Sequence, residues 1–414
     1  MTTLQWMLSL LACLFGLSIT AAALAPQRPG GTPPAHLGAM DEPGGQPGHG
    51  PDGDPQHNRG EGRGPQPGPP DGQHGIPSDA PAAYKLEPGP YDFDQRDLTL
   101  QDGARGKELP VRVYVPWPKP NVRLRDAKLP LVVFSHGAGG SRDVGSELLG
   151  HWASHGYVVV APTHADSIAL QRAAGEKPDM DKTIASLAKP GMREERVRDC
   201  TLILDQIGTI EQEIPEIADR IDMEHIGLAG HSAGAMTTMI ATGVQDQRNA
   251  ALGDPRFDCA LVLSGQGPGK GLIFGQDSWA QWALPALVMT GSLDSSSRTG
   301  QTAESRREPY ELAPASGNKY LLFIEGATHM SFTGDAGSRL ADRGMGKLVG
   351  EYLEPGGRIG EKALQYDQTA IFQVVRSASL AFLDAYLKDD QAARDYLVGD
   401  QLPELLPGVE WQHK

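Results

Sequence analysis

Ser232 lies in the run Gly230-His231-Ser232-Ala233-Gly234. An apolar strand-like stretch, Ile226-Gly227-Leu228-Ala229, precedes it, and a helix-like stretch, Ala235 to Ala241, follows. A strand, a tight G-x-S-x-G turn and a helix lift a serine hydroxyl clear of a sheet. The turn is too sharp for Cβ atoms at the two glycines, and the next backbone N–H groups open a helix, where they can face an anion. The chemistry this suggests is nucleophilic attack on a carbonyl carbon. A serine hydroxyl needs a base to take its proton, and the base needs an orienting carboxylate.

Two downstream strands end in loops that carry those groups. Ala286-Leu287-Val288-Met289-Thr290-Gly291-Ser292-Leu293-Asp294 presents an Asp, and Phe323-Ile324-Glu325-Gly326-Ala327-Thr328-His329 presents a His. The order Ser, Asp, His along the chain is the one this turn type uses. The assignment is therefore Ser232 as nucleophile, His329 as general base and then acid, and Asp294 as the orienting carboxylate. An oxyanion formed on attack needs two N–H donors. Ala233 N–H, directly after the serine, supplies one. The glycine-rich loop Ser135-His136-Gly137-Ala138-Gly139-Gly140-Ser141 supplies the other, with Ala138 N–H the best placed.

Three further residues are candidates for contact with substrate. His164 follows a strand end and either lines the pocket or is structural. His231 adjoins the serine, although an elbow turns it elsewhere. Trp279, with Trp282 nearby, either stacks on a substrate or packs a cap. No ligand spacing points to a metal: His36, His49, His57 and His74 are irregularly placed, without Cys, in a Pro/Gly-rich tract and read as solvated.

The elements around these residues alternate. Asp97–Leu100 and Val111–Val115 read as a hairpin by their period of two. Leu131–Phe134, Tyr157–Val160, Ile226–Ala229, Ala260–Leu263, Ala286–Met289 and Tyr320–Ile324 are short apolar runs that suit parallel strands covered on both faces. Amphipathic helices are expected near Glu147–Ala153, Glu194–Ile207 and Ile371–Leu387. The fold class is α/β, a mainly parallel central sheet with helices on both faces and an antiparallel N-terminal edge. Three long connections, 165–192, 265–284 and 333–367, follow strand C-terminal ends, where open α/β sheets place ligands. They are either a cap over the site or surface decoration.

The 414 residues suffice for one large core. Residues 1–25 contain an uncharged apolar stretch ending in small residues, as an export signal does, though no Lys or Arg precedes it. An uncleaved membrane anchor is the alternative. Residues 26–82 form a Pro/Gly-rich disordered linker, 83–400 the catalytic domain and 401–414 a C-terminal tail. The net charge of −15 argues against nucleic acid or an anionic membrane surface as partner. Cys200 and Cys259 read as buried apolar residues; export would permit a disulfide between them, and the sequence does not decide whether they meet.

Four segments together resemble the platelet-activating-factor acetylhydrolase and dienelactone-hydrolase-like branch of the α/β-hydrolases: His136-Gly137-Ala138-Gly139-Gly140, the turn at 230–234, Gly291-Ser292-Leu293-Asp294, and Ala327-Thr328-His329-Met330-Ser331-Phe332. The runs 131–137 and 153–159 are similar too, and the likeness extends over roughly 98–387. It implies hydrolysis of small-molecule or lipid esters through an acyl-enzyme, with no cofactor. One departure is that dienelactone hydrolases proper use cysteine where this chain has Ser232. The expected activity is that of an exported serine carboxylesterase acting on small or short-chain esters. The alternatives are an inactive binding module on the same fold, or an amidase, peptidase or polyester hydrolase using the same three residues.

Overall fold

The computed structural model describes residues 75–119, 128–246, 252–269, 273–334, 362–363 and 365–414. The apolar segment at 1–25, the linker up to residue 74 and most of the connection after Thr333 lie outside the described residues.

A nine-stranded sheet organises the chain. Its strands are β1 (Tyr91–Asp102), β2 (Lys107–Pro118), β3 (Leu129–Ser135), β4 (Val158–Pro162), β5 (Ile221–His231), β6 (Cys259–Leu263), β7 (Ala286–Leu293), β8 (Lys319–Thr328) and β9 (Val409–His413). The order is β1-β2-β4-β3-β5-β6-β7-β8-β9. β4, β3, β5, β6, β7 and β8 pair in parallel, which accounts for their unbroken apolar runs. The opening hairpin joins antiparallel through β2 and β4, as the alternation in β1 and β2 implies.

Side chains alternate between two cores. Leu131, Val133, Ala260 and Val262 face one side, with Val197 and Ile203 of a helix at Pro190–Asp205. Val132, Phe134, Leu261 and Leu263 face the other, with Trp152 of helix α1 (Ser146–Ser154) and the long helix Gln368–Leu387. That last helix is long and apolar enough to cross a bilayer, but most of it is buried against the sheet. Asp367 starts it, its carboxylate accepting the N–H groups of Thr369 and Ala370 at 2.9 and 3.1 Å.

Two boundaries shift and one open question closes. Residues 401–414 are not a loose tail: after a short helix, Gln401–Glu404, they form β9, antiparallel to β8. The Trp411 ring stacks on Tyr320 at 5.5 Å and its indole N–H reaches Leu397 O at 2.8 Å. The linker boundary moves earlier, because Gly75 N donates to Asp367 and Ile76 N to Gln373, both at 2.7 Å. Cys200 and Cys259 are both free and buried, in opposite cores, so no disulfide joins them.

Of the three connections, the first is helical: α2 (Ile168–Ala173), α3 (Met180–Leu187) and α4 (Pro190–Asp205), followed by α5 (Ile207–Glu213). Pro190 suits the first position of α4, where its missing N–H has no intrahelical role. The described part of the second sinks Phe274, Trp279 and Trp282 into the core. Trp282 donates its indole N–H to Thr242 Oγ1 at 3.1 Å.

Candidate active site

β5 ends at His231, and helix α6 begins at Ala233 and runs to Ala241. Ser232, at the junction, has φ 56° and ψ −115°, a strained setting for a residue with a side chain. Neighbouring packing holds it there. A Cβ on Gly234 would collide with the carbonyl oxygen of Ser135, and one on Gly230 would come within 2.7 Å of Thr238 Oγ1. The Ser232 N–H donates to Leu263 O of β6 at 2.9 Å, which ties the turn to the next strand.

Ser232 Oγ lies 2.9 Å from His329 Nε2, and His329 Nδ1 lies 2.8 Å from Asp294 Oδ1. The three residues, 97 and 35 positions apart, therefore meet at the C-terminal ends of β5, β7 and β8. All three are buried. Ser264, the first residue after β6, was not anticipated. Its Oγ donates to Asp294 Oδ2 at 2.6 Å and lies 2.5 Å from His329 Nδ1. With two oxygen acceptors facing it, Nδ1 carries the proton, and the Nε2 lone pair is left facing the serine hydroxyl. Ser264 also has a positive φ, 55°. Thr290 Oγ1 donates to Asp294 Oδ2 at 3.0 Å.

Arg306 is the second unanticipated partner. Its Nε lies 3.0 Å from Asp294 Oδ1, and its Nη1 donates to the carbonyls of Ser264 and Gly265 at 2.8 and 2.9 Å. Burial alone would raise the Asp294 carboxyl. The Arg306 charge, the neighbouring imidazole and the hydrogen bonds from His329 and Ser264 outweigh it and hold the group well below the usual carboxylate range. His329 is lowered from 6.5, chiefly by burial and further by Arg306, with Asp294 opposing. The result is a neutral imidazole beside a permanent carboxylate, able to accept a proton from Ser232 and hold it as an ion pair.

His231 is buried with its ring against that of His329, centroids 4.8 Å apart, and its Nε2 donates to His329 O at 2.7 Å. Burial pushes it down to about 3, so it stays neutral. It ties down the His329 backbone. His164 is where the structure departs from a substrate-facing role. It is fully buried, with Nε2 2.9 Å from Ser135 Oγ and Nδ1 2.9 Å from Asp199 Oδ2, so neither ring nitrogen is open to a pocket. Trp279 is fully buried beside Phe274, its indole N–H on Met239 Sδ at 3.3 Å, and offers no face to a ligand.

The loop after β3 passes close to the turn: a Cβ on Gly137 would sit 3.4 Å from Ser232 Cβ. Within it, Gly139 N–H is taken by Asp166 Oδ2 at 3.0 Å and Gly140 N–H by Gly137 O at 3.1 Å. Ala138 lies between residues whose peptides are thus pinned. Ala233 is the first residue of α6, where an N–H has no intrahelical acceptor. No group of three or more His, Cys, Asp or Glu side chains able to hold a metal occurs among the described residues.

A family model described as platelet-activating factor acetylhydrolase, isoform II, matches residues 113–406. The platelet-activating factor acetylhydrolase of Canis lupus familiaris is 25% identical over 314 residues, covering 68% of this chain and 63% of that protein. That of Cavia porcellus is 24% identical over 288 residues, covering 64% and 59%. That of Gallus gallus is 24% identical over 318 residues, covering 68% of each. The chain spans less than two thirds of the length of the first two of these relatives. The nine-stranded, mainly parallel sheet and this match across most of the chain agree: the protein belongs to the platelet-activating factor acetylhydrolase, isoform II, family of the α/β-hydrolase superfamily.

Proposed function

We propose that the protein is a serine hydrolase of small or short-chain carboxylic esters, with Ser232 as nucleophile, His329 as proton carrier and Asp294 as its orienting carboxylate. The observation that carries this reading is the continuous hydrogen-bond path from Ser232 through His329 to Asp294, at 2.9 and 2.8 Å. The names of the relatives support an acetyl ester of a lipid as one substrate class. The uncharged apolar segment near the N-terminus supports export.

In this mechanism Ser232 Oγ bonds to the ester carbonyl carbon as its proton passes to His329 Nε2. The carbonyl electron pair moves onto oxygen, which the N–H groups of Ala138 and Ala233 receive. The pair returns, the carbon–alkoxide bond breaks, and His329 hands its proton to the departing oxygen. Water then repeats the sequence on the acyl-enzyme. Asp294 stays ionised throughout, because Arg306 and its hydrogen-bond donors hold its proton affinity low.

A fluorophosphonate probe followed by peptide mass spectrometry tests the assignment. The adduct is expected on the peptide carrying Ser232; an active protein modified elsewhere, or not at all, overturns it. The pH profile offers a separate check. Protonated His329 cannot act as base, and its affinity for a proton is lowered from 6.5. The rate of p-nitrophenyl butyrate hydrolysis should hold down to about pH 6.5 and fall below it. A rate that does not fall through the acid range contradicts the assignment of His329 as base.

A further inference from the structure

The structure holds a second Ser–His–Asp row. Ser135 Oγ, His164 and Asp199 are linked at 2.9 and 2.9 Å, close to the 2.9 and 2.8 Å of the first row. All three are at 0% exposure, so no substrate reaches them. Ser135 Oγ also lies within reach of the guanidinium of Arg196, which is likewise fully buried. Its Nη2 donates to His136 O and lies 3.3 Å from Ser135 Oγ, both at the start of the glycine-rich loop. Its Nη1 meets Asp166 Oδ1 at 2.5 Å, and the other oxygen of Asp166 takes the Gly139 N–H of that loop at 3.0 Å. Its Nε donates to Thr237 Oγ1 at 3.1 Å, and Thr237 Oγ1 donates in turn to Ala233 O at 3.1 Å.

We infer that Arg196, with Asp166 and Thr237, is a positioning device that sets the gap between the two oxyanion donors, Ala138 N–H and Ala233 N–H. The inference rests on the mechanism proposed above. The two donors belong to elements far apart in sequence, the loop after β3 and the start of α6. Arg196 reaches both: it bonds His136, two residues before Ala138, directly, Gly139, the residue after it, through Asp166, and Ala233 through the Thr237 hydroxyl. The planar fork of the guanidinium fixes direction as well as distance, which a lysine ammonium does not. The buried His164 adds a second hold on the loop: its backbone N–H donates to His136 Nε2 at 3.0 Å. His136 is pushed down to about 4 by burial and by Arg196, and so remains an acceptor there.

Donor placement predicts a specific pattern. Arg196→Lys keeps the charge opposite Asp166 but loses the fork; Thr237→Val breaks the Arg196–Thr237–Ala233 link, taking the acceptor from Arg196 Nε but stranding no carboxylate. Each folded variant is expected to lose about 10- to 100-fold in kcat, less than outright removal of a donor, with KM for p-nitrophenyl butyrate within about threefold. Inhibition by a trifluoromethyl ketone, whose hydroxyl-adduct oxygen occupies the oxyanion position, should weaken by the same factor as kcat/KM falls. Binding of the matching alcohol, which forms no adduct, should not change. If Arg196→Lys does not fold, Thr237→Val decides alone. Wild-type kcat and trifluoromethyl ketone affinity in a folded Thr237→Val overturn the inference, and so does an equal loss in alcohol binding, which would mean a collapsed pocket. Failure of the mechanism itself is read separately, in Ser232→Ala.

Discussion

Replacing Ser232 by alanine is expected to lower kcat for p-nitrophenyl acetate by about five to six orders of magnitude while KM stays close to wild type. The hydroxyl is the proposed bond-forming group, 2.9 Å from His329 Nε2. What should survive is the modest residual rate that an oxyanion site and bound water provide without a nucleophile. The substitution is small in every other respect. The Ser232 N–H still reaches Leu263 O, and the strained φ is held by packing around the turn rather than by the hydroxyl. The thermal midpoint should therefore stay near wild type, which separates lost chemistry from lost structure. A folded variant retaining more than about one per cent of the rate would remove Ser232 from the mechanism.

The second large effect concerns stability. Gly234→Ala is expected to destabilise the protein by about 4 kcal/mol or more, or to prevent folding. The added methyl has nowhere to go: it would overlap the Ser135 carbonyl oxygen, a backbone atom that cannot rotate away. Moving β3 aside would drag the glycine-rich loop with it, and moving α6 would drag Ser232. Any folded fraction should thus show a lowered kcat as well. Gly191→Ala is the natural control. Gly191 lies in α4 with nothing within 4 Å of where its Cβ would be, and alanine favours a helix. It should leave the unfolding midpoint unchanged or raised. Chemical denaturation of both variants measures the difference, and equal midpoints would refute the steric account.

The electrostatic design around Asp294 explains why the site tolerates so much burial. A carboxylate at 0% exposure is expensive unless paired and fully hydrogen-bonded. Here one oxygen faces Arg306 Nε and His329 Nδ1, and the other accepts from Ser264 and Thr290. Arg306 in turn anchors to the backbone carbonyls of Ser264 and Gly265, so the arginine is held by strand ends rather than by the carboxylate alone. The same logic recurs around Arg196. Arg306 bonds the acid, and Arg196 bonds the loop and helix that carry the proposed donors.

Much of this was legible before any coordinates. The apolar runs of strand length marked the parallel strands, because a strand covered on both faces has no reason to alternate. Glycines at 230 and 234 marked the turn, because only a missing Cβ permits it. Ser232, Asp294 and His329 could be proposed because each follows a strand, and parallel strands bring their C-terminal ends to one edge. β9 was missed: its five residues are too few to establish a period against the polar stretch around them. For Trp279 and His164 the sequence leaves a substrate-facing and a structural role open, because residue type and neighbourhood do not reveal which way a side chain turns. Ser264, Arg306, Arg196 and Asp166 carried no local signal at all. Local sequence records what each segment needs from its own backbone, namely period, turn and cap. Which distant charges meet, and which polar atoms go under the sheet edge with full sets of partners, is decided only when the strands and helices pack, since that energy belongs to contacts between segments and not to any one of them.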